Sequence, residues 1–236
     1  SPMRVVLITG AAGGLGRGLA AEFAAQGWHV AAAWHRASDL VESERLWPVR
    51  LDVTSPTDAQ NVTDKVLARW GRIDVLVNNA GITADQPLWQ LEENDWDQVL
   101  AVNLNGARRC AQAVLSPMIA QREGHILNIS SFSGRAGQRG QANYAAAKAG
   151  LLGLTTALAK EVGARNIRVN AILPGVLPTP MTARLKDSDL ERFADANALG
   201  RLNTVAEVAR FIVFLAQTQN ISGQLFQLDS RIGPWT

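Results

Sequence analysis

The stretch Thr9-Gly10-Ala11-Ala12-Gly13-Gly14-Leu15-Gly16 decides the fold. It follows an apolar run, Arg4-Val5-Val6-Leu7-Ile8-Thr9, and opens a helix-period segment, Leu15 to Gln26. Strand, glycine-rich turn and helix in that order bring backbone amides and a helix N-terminus to one point, which suits a pyrophosphate. Glycine lets the backbone approach that closely. Alone, such a turn reads equally well as structural; the strand before it and the helix after it favour a dinucleotide.

Outward from this turn, short apolar runs alternate with longer helix-period segments, the pattern of a parallel sheet wrapped by helices. Strands are predicted at Arg4 to Thr9, His29 to Trp34, Val49 to Val53, Ile73 to Val77, His125 to Ile129, Ile167 to Ile172 and Leu225 to Leu228. Helices are predicted at Leu15 to Gln26, Thr57 to Trp70, Asn94 to Ile119, Ala142 to Val162 and Val205 to Ala216. The expected fold class is α/β: a single-domain, doubly wound parallel seven-stranded sheet with helices on both faces, over residues 3–236. Val176 to Gly200 breaks the regularity with Pro178 and Pro180 after a strand, where active-site loops belong, and is the expected substrate lid.

Composition narrows the function. The 236 residues are 47% hydrophobic and 19% charged, enough apolar material for a core and too little charge for a disordered chain. No apolar run approaches the roughly 18 residues of a membrane span, so a cytoplasmic protein is expected. Ser1 and Pro2 precede Met3 and read as a vector scar. Net charge is +2, with the cations scattered, which is no nucleic-acid footprint. The single cysteine, Cys110, reads as a buried small hydrophobe, and no Cys/His grouping has metal-ligand spacing. The sequons at Asn61, Asn128 and Asn220 read as chance matches.

Two further positions carry chemistry. In dinucleotide-binding sheets that take NAD, an acidic residue about 20 positions past the glycines grips the ribose 2′-hydroxyl. Here the second strand ends at Trp34-His35-Arg36, with no carboxylate before Asp39. His35 and Arg36 would instead meet a 2′-phosphate, so NADP is expected rather than NAD; a solvated basic turn is the alternative. Tyr144-Ala145-Ala146-Ala147-Lys148 places a phenol and an ammonium on one helix face. An ion pair at 4 Å with an effective dielectric near 20 is worth about 4 kcal/mol, which would draw the phenol from about 10 toward about 7. An isolated pair at this spacing is more often structural.

These motifs together resemble the short-chain dehydrogenase/reductase family, in order and spacing, over nearly the whole chain. Thr9-Gly10-x-x-x-Gly14-Leu15-Gly16 resembles its cofactor loop, Asn78-Asn79-Ala80-Gly81 its strand-four motif, and Tyr144-x-x-x-Lys148 its catalytic pair. The resemblance implies a Rossmann-type fold and a catalytic tetrad of Asn103, Ser131, Tyr144 and Lys148, with Ser130 the competitor of Ser131. It implies adenine contacts from Asp52 and Val53, and nicotinamide contacts from Pro174, Gly175 and Thr179. Tyr144 would protonate the substrate oxygen, Ser131 would hold it, Lys148 would bind ribose and tune Tyr144, and Asn103 would anchor a relay water.

Gly140-Gln141-Ala142-Asn143-Tyr144 through Gly150 is especially similar to the bacterial 3-oxoacyl-acyl-carrier-protein reductases. That branch implies a homotetramer through the fourth and fifth helices, and a carrier protein docked on Arg122 and Arg165. Two departures stand out: Trp34 to Asp52 is short, and the end reads Leu228-Asp229-Ser230-Arg231 instead of a Gly-Gly turn. Trp89, Trp96 and Trp235 are read as core or interface rather than pocket lining. The expected activity is NADPH-dependent reduction of a 3-oxoacyl thioester. The alternatives are another small ketone or alcohol, a non-catalytic cofactor sensor, and a sugar-nucleotide epimerase or dehydratase, for which the chain is short.

Overall fold

The computed structural model describes residues 3–36, 38–183 and 185–232. Ser1, Pro2 and Trp235, given readings above, lie outside them. Seven strands form one parallel sheet in the order β3-β2-β1-β4-β5-β6-β7. They are β1 (Val5–Ile8), β2 (His29–Trp34), β3 (Leu46–Arg50), β4 (Val75–Asn78), β5 (Gly124–Ile129), β6 (Ile167–Leu173) and β7 (Leu225–Gln227). The longer helices are α1 (Gly14–Ala25), α2 (Pro56–Trp70), α3 (Glu93–Leu100), α4 (Ala107–Gln121), α6 (Ala142–Val162), α7 (Asp187–Asp195) and α8 (Val205–Ala216), with a short α5 (Ser133–Ala136).

Burial on both faces follows from the period of two. Val5 and Leu7 point into one core with Val66, Val114 and Val162 of α2, α4 and α6. Val6 and Ile8 point into the other with Leu19 and Phe23 of α1 and Val208 and Ile212 of α8. A strand buried on both sides must read as a continuous apolar run, which is why Val5–Ile8 shows no alternation. The strand order reverses between β1 and β4, and the crevice at such a switch point, beyond the carboxyl ends of the strands, is where ligands bind.

Two elements differ from expectation. The third strand runs Leu46–Arg50, three residues earlier than predicted, and carries Pro48 opposite Ala32. It is an edge strand paired only with β2, so a residue without an N–H is tolerated there. The predicted long helix Asn94 to Ile119 is interrupted by a π-helical turn, Ala101–Gly106, between α3 and α4. Such wide turns are frequent at functional sites, and this one carries Asn103.

Candidate active site

The glycine loop is a cradle made by absence of side chains. Gly10 sits at φ +65°, and a Cβ there would stand 2.9 Å from Ala80 Cα. A Cβ on Gly16 would stand 2.2 Å from the Gly10 carbonyl oxygen, and one on Gly14 would stand 2.6 Å from Thr179 Cβ. Leu15 lies between them at the start of α1. The loop is braced from β4: Asn79 Nδ2 donates to the carbonyls of Thr9 and Gly10 at 3.0 and 3.1 Å, and the amides of Asn79 and Ala80 donate to Thr9 Oγ1, both at 3.0 Å. Helix α1 has no side-chain cap and no acidic residue in its first turn, so its N-terminal amides are available to an anion. A dinucleotide pyrophosphate fits this end.

At the end of β2, His35 Nε2 lies 3.4 Å from Asp52 Oδ2, joining two residues expected to touch different parts of the cofactor. Burial raises the Asp52 carboxyl, but the Thr54 hydroxyl and amide, with His35 and Arg50, outweigh it and leave it below the ordinary carboxylate value. Arg36 is exposed. Sequence reading missed Arg17, whose Nε donates to the Ala12 carbonyl at 2.9 Å while its Nη2 pairs with Asp39. Two arginines and an imidazole therefore stand on this side of the site. Val53 packs on the π turn, where a Cβ on Gly106 would stand 2.7 Å from Val53 Cγ2.

The four predicted catalytic residues converge. Asn103 is buried on the π turn and is held both ways by Ile82, accepting from its amide at 2.8 Å and donating to its carbonyl at 2.9 Å. A Cβ on Gly81 would lie 3.4 Å from Asn103 Oδ1 and 3.7 Å from Lys148 Nζ, ordinary contact distances that put Gly81 beside both side chains. Lys148 Nζ donates to the Ile129 carbonyl at 2.8 Å and lies 5.5 Å from the centre of the Tyr144 ring. Ser131 lies against Tyr144, its hydroxyl accepting from the Ser133 amide at 3.2 Å. Ser130, by contrast, is buried with its hydroxyl donated to the Lys148 carbonyl at 2.9 Å, a bond that holds α6 to β5.

Electrostatics correct one expectation. Burial pushes the Tyr144 phenol up to about 12, opposed by the Ser131 hydrogen bond and reinforced by the Asp85 charge. It does not fall toward 7, because burial of the phenol dominates; Lys148 donates to the Ile129 carbonyl, and burial draws its ammonium down to about 8. Gln141 holds Asp85 in place, donating to its Oδ2 at 2.9 Å and accepting from Ser133 Oγ at 2.9 Å. At neutral pH the phenol keeps its proton and Lys148 its charge.

The remaining predicted residues divide. Pro174 and Gly175 end β6 beside this crevice, and Thr179 reaches over Gly14. The segment 176–200 contains α7 and leads from Gly175 back toward the chain's end. Arg122 and Arg165 lie together, with Asn166 Nδ2 donating to the Arg122 carbonyl at 2.9 Å, but just before β5 and β6, at the opposite end of the strands from Ser131. Trp89 is 77% exposed and so is no core residue, while Trp96 is half-buried. Cys110 is buried, and burial raises its thiol to about 12. Among the described residues no His, Cys, Asp or Glu group could hold a metal ion, and no helix is long and apolar enough to cross a membrane.

Comparisons with known proteins agree with this geometry. The 3-oxoacyl-[acyl-carrier-protein] reductase FabG of Thermotoga maritima is 43% identical over 236 residues, covering 96% of each chain. The FabG of Escherichia coli is 38% identical over 221 residues, covering 92% of this chain and 91% of its own. Among solved structures, ElxO with NADP bound superposes with a TM-score of 0.89 at 29% identity, over 97% of this chain and 98% of that one. The short chain dehydrogenase family model matches residues 4–190, and with the glycine cradle, the switch-point crevice and the convergent tetrad in place, the chain belongs to that family.

Proposed function

We propose that the protein is an NADPH-dependent reductase of 3-oxoacyl thioesters carried on an acyl carrier protein. The observation that carries this reading is the convergence of Asn103, Ser131, Tyr144 and Lys148 in one crevice beside the glycine cradle. The FabG relatives of similar length supply the substrate class. The NADP named in the ElxO structure supports the cofactor, as do His35, Arg36 and Arg17 at the corner where a 2′-phosphate would lie.

The cofactor, when bound, supplies the hydride that reduces the carbonyl carbon. Gly10, Gly14, Leu15 and Gly16 would hold its pyrophosphate, Asp52, Val53, Asn79, Ala80 and Gly81 its adenosine side, and Pro174, Gly175 and Thr179 its nicotinamide end. Tyr144 gives its proton to the carbonyl oxygen. Ser131 holds that oxygen by hydrogen bond and so favours the charge that develops on it. Lys148 supplies a nearby positive charge and binds ribose hydroxyls, and Asn103, fixed at both ends by Ile82, orients a water that returns the proton. A phenol that is fully protonated at neutral pH starts in the form that reduction requires.

The chain acts as one domain with 176–200 as its lid, in a cytoplasmic homotetramer. Arg122 and Arg165 stand the length of β5 from the cleft mouth, about 20 Å for six residues at 3.3 Å each. The test is oxidation of NADPH by acetoacetyl thioester with Tyr144→Phe alongside. Turnover that falls about a thousandfold in the variant, with cofactor affinity unchanged, supports the reading; turnover that survives the substitution, or none in the wild type, sinks it.

A further inference from the structure

The turn Leu228-Asp229-Ser230-Arg231, where the sequence departs from its family's glycine pair, contributes nothing to the tetrad, yet each of its polar residues reaches a different part of the site. Asp229 packs on Gly175, at φ +83°, where a Cβ would stand 2.8 Å from Asp229 Cβ. Ser230 fastens the far end of the 176–200 segment. Its amide donates to Asn197 Oδ1 at 2.9 Å, its hydroxyl accepts from the Leu199 amide at 3.1 Å, and its carbonyl accepts from the Ala198 amide at 3.0 Å. Arg231 Nε donates to Asp229 Oδ2 at 2.6 Å, and its guanidinium lies 3.9 Å over the ring of Phe132, the residue after Ser131. Gln227 Nε2 closes the turn with bonds to Asp229 Oδ1 at 2.7 Å and the Arg231 carbonyl at 2.8 Å.

The pair is buried, with 2% of the Asp229 side chain and 13% of that of Arg231 exposed. Two opposite charges withdrawn from water do not separate without leaving an uncompensated ion, so neither moves alone. The planar fork of arginine makes the carboxylate bonds and the ring stack together, which an ammonium does not. Phe132 is the second residue of the turn in which the Gly134 amide donates to the Ser131 carbonyl at 3.1 Å. Both ends of the 176–200 segment and the turn bearing Ser131 thus meet on four residues of chain.

We propose that Asp229 and Arg231 are positioning residues that hold Ser131 in register with the 176–200 segment, so that the substrate side of the cleft is assembled as one unit. This rests on the reading of Ser131 as the donor to the substrate oxygen. The experiment compares amide exchange and steady-state kinetics in the wild type, Arg231→Gly, Arg231→Lys, Phe132→Leu and the double variant Arg231→Lys with Phe132→Leu. Loss of the clasp speeds exchange by about tenfold at Ala198 and Leu199 and also at Gly134 through Gly137. It lowers kcat by about tenfold while NADPH affinity stays as in the wild type. Arg231→Lys, which keeps the charge and loses the stack, shows the faster exchange at Gly134 through Gly137 and carries the comparison if the glycine variant fails to fold. Unchanged exchange on the Ser131 side, or Arg231 and Phe132 effects on kcat that combine as independent factors, overturns the proposal. A wild type that reduces no 3-oxoacyl thioester overturns the substrate reading alone, since the exchange arm still decides whether the clasp couples the two segments.

Discussion

The two sides of the switch point are built by opposite means. On the cofactor side, β1 to β3 and α1 shape the site by leaving side chains out: Gly10, Gly14 and Gly16 make a cradle that a methyl group would fill. On the substrate side, β5 to β7 shape it by linking side chains: Lys148 to Ile129, Gln141 to Asp85 and Ser133, Arg231 to Asp229 and Phe132. A cradle of backbone recognises what all members of a family share, a pyrophosphate. A lattice of side chains is where one member differs from the next, because each link is replaceable without rebuilding the strand beneath it.

The largest effect should come from filling the cradle. Gly16→Ala puts a Cβ 2.2 Å from the Gly10 carbonyl, and neither partner is a flexible side-chain end. The strain costs about 2–3 kcal/mol, and if it falls on the loop it weakens NADPH binding about a hundredfold. Titration of the purified variant with NADPH checks this, and binding at wild-type strength would remove the steric account of the cofactor side.

Lys148 tests the side-chain lattice with two opposed readouts. Its folded value of about 8 lies below the ordinary 10.5, so the folded chain carries a charging cost that is complete below pH 8 and disappears between 8 and 10.5, where stability rises with pH. That cost is about 3 kcal/mol, and losing the bond to the Ile129 carbonyl returns about 1–2. Lys148→Met should therefore gain about 1–2 kcal/mol at neutral pH by denaturant unfolding while losing turnover. In the wild type, turnover should fall as pH rises through about 8, as the ammonium is lost, well below the point near 12 where Tyr144 would ionise. A profile flat to pH 10 would show that the Lys148 charge is not needed.

Cofactor choice is the next smaller effect. His35→Asp with Arg36→Ala places a carboxylate beside Asp52 and removes a cation, so the NADPH over NADH affinity ratio should fall about ten- to a hundredfold, the range for charge-assisted hydrogen bonds. Equal loss for both cofactors would show the corner acting through the Asp52 contact alone. The smallest effect belongs to the far end of the sheet. Arg122→Glu with Arg165→Glu should raise KM about two- to fivefold for a carrier-bound thioester, the scale of exposed charge pairs, and leave KM for a small thioester unchanged.

Much of this was legible in the sequence. Residues 5–8 and 29–34 announce themselves as short continuous apolar runs, as strands buried on both faces must, and 142–162 by a length that only a helix reaches. The third strand slipped three residues because an edge strand with a proline carries a weak period. The π turn was invisible because its widening is set by the fit of Val53 on Gly106 and of Asn103 on Ile82, partners 53 and 21 residues away.

The sequence by itself determined the sheet and the glycine cradle, since each depends on local period or on a residue type with no substitute, while the tetrad came from resemblance to a family. Only the tertiary structure decided the Tyr144 proton, the release of Ser130 from candidacy and the clasp of Asp229 and Arg231 on Phe132. A pKa follows from what burial removes and which charges remain within reach, and a clasp joins residues about a hundred positions apart. Neither is a property of neighbours in the chain; both arise when the β5, β6 and β7 ends are brought side by side.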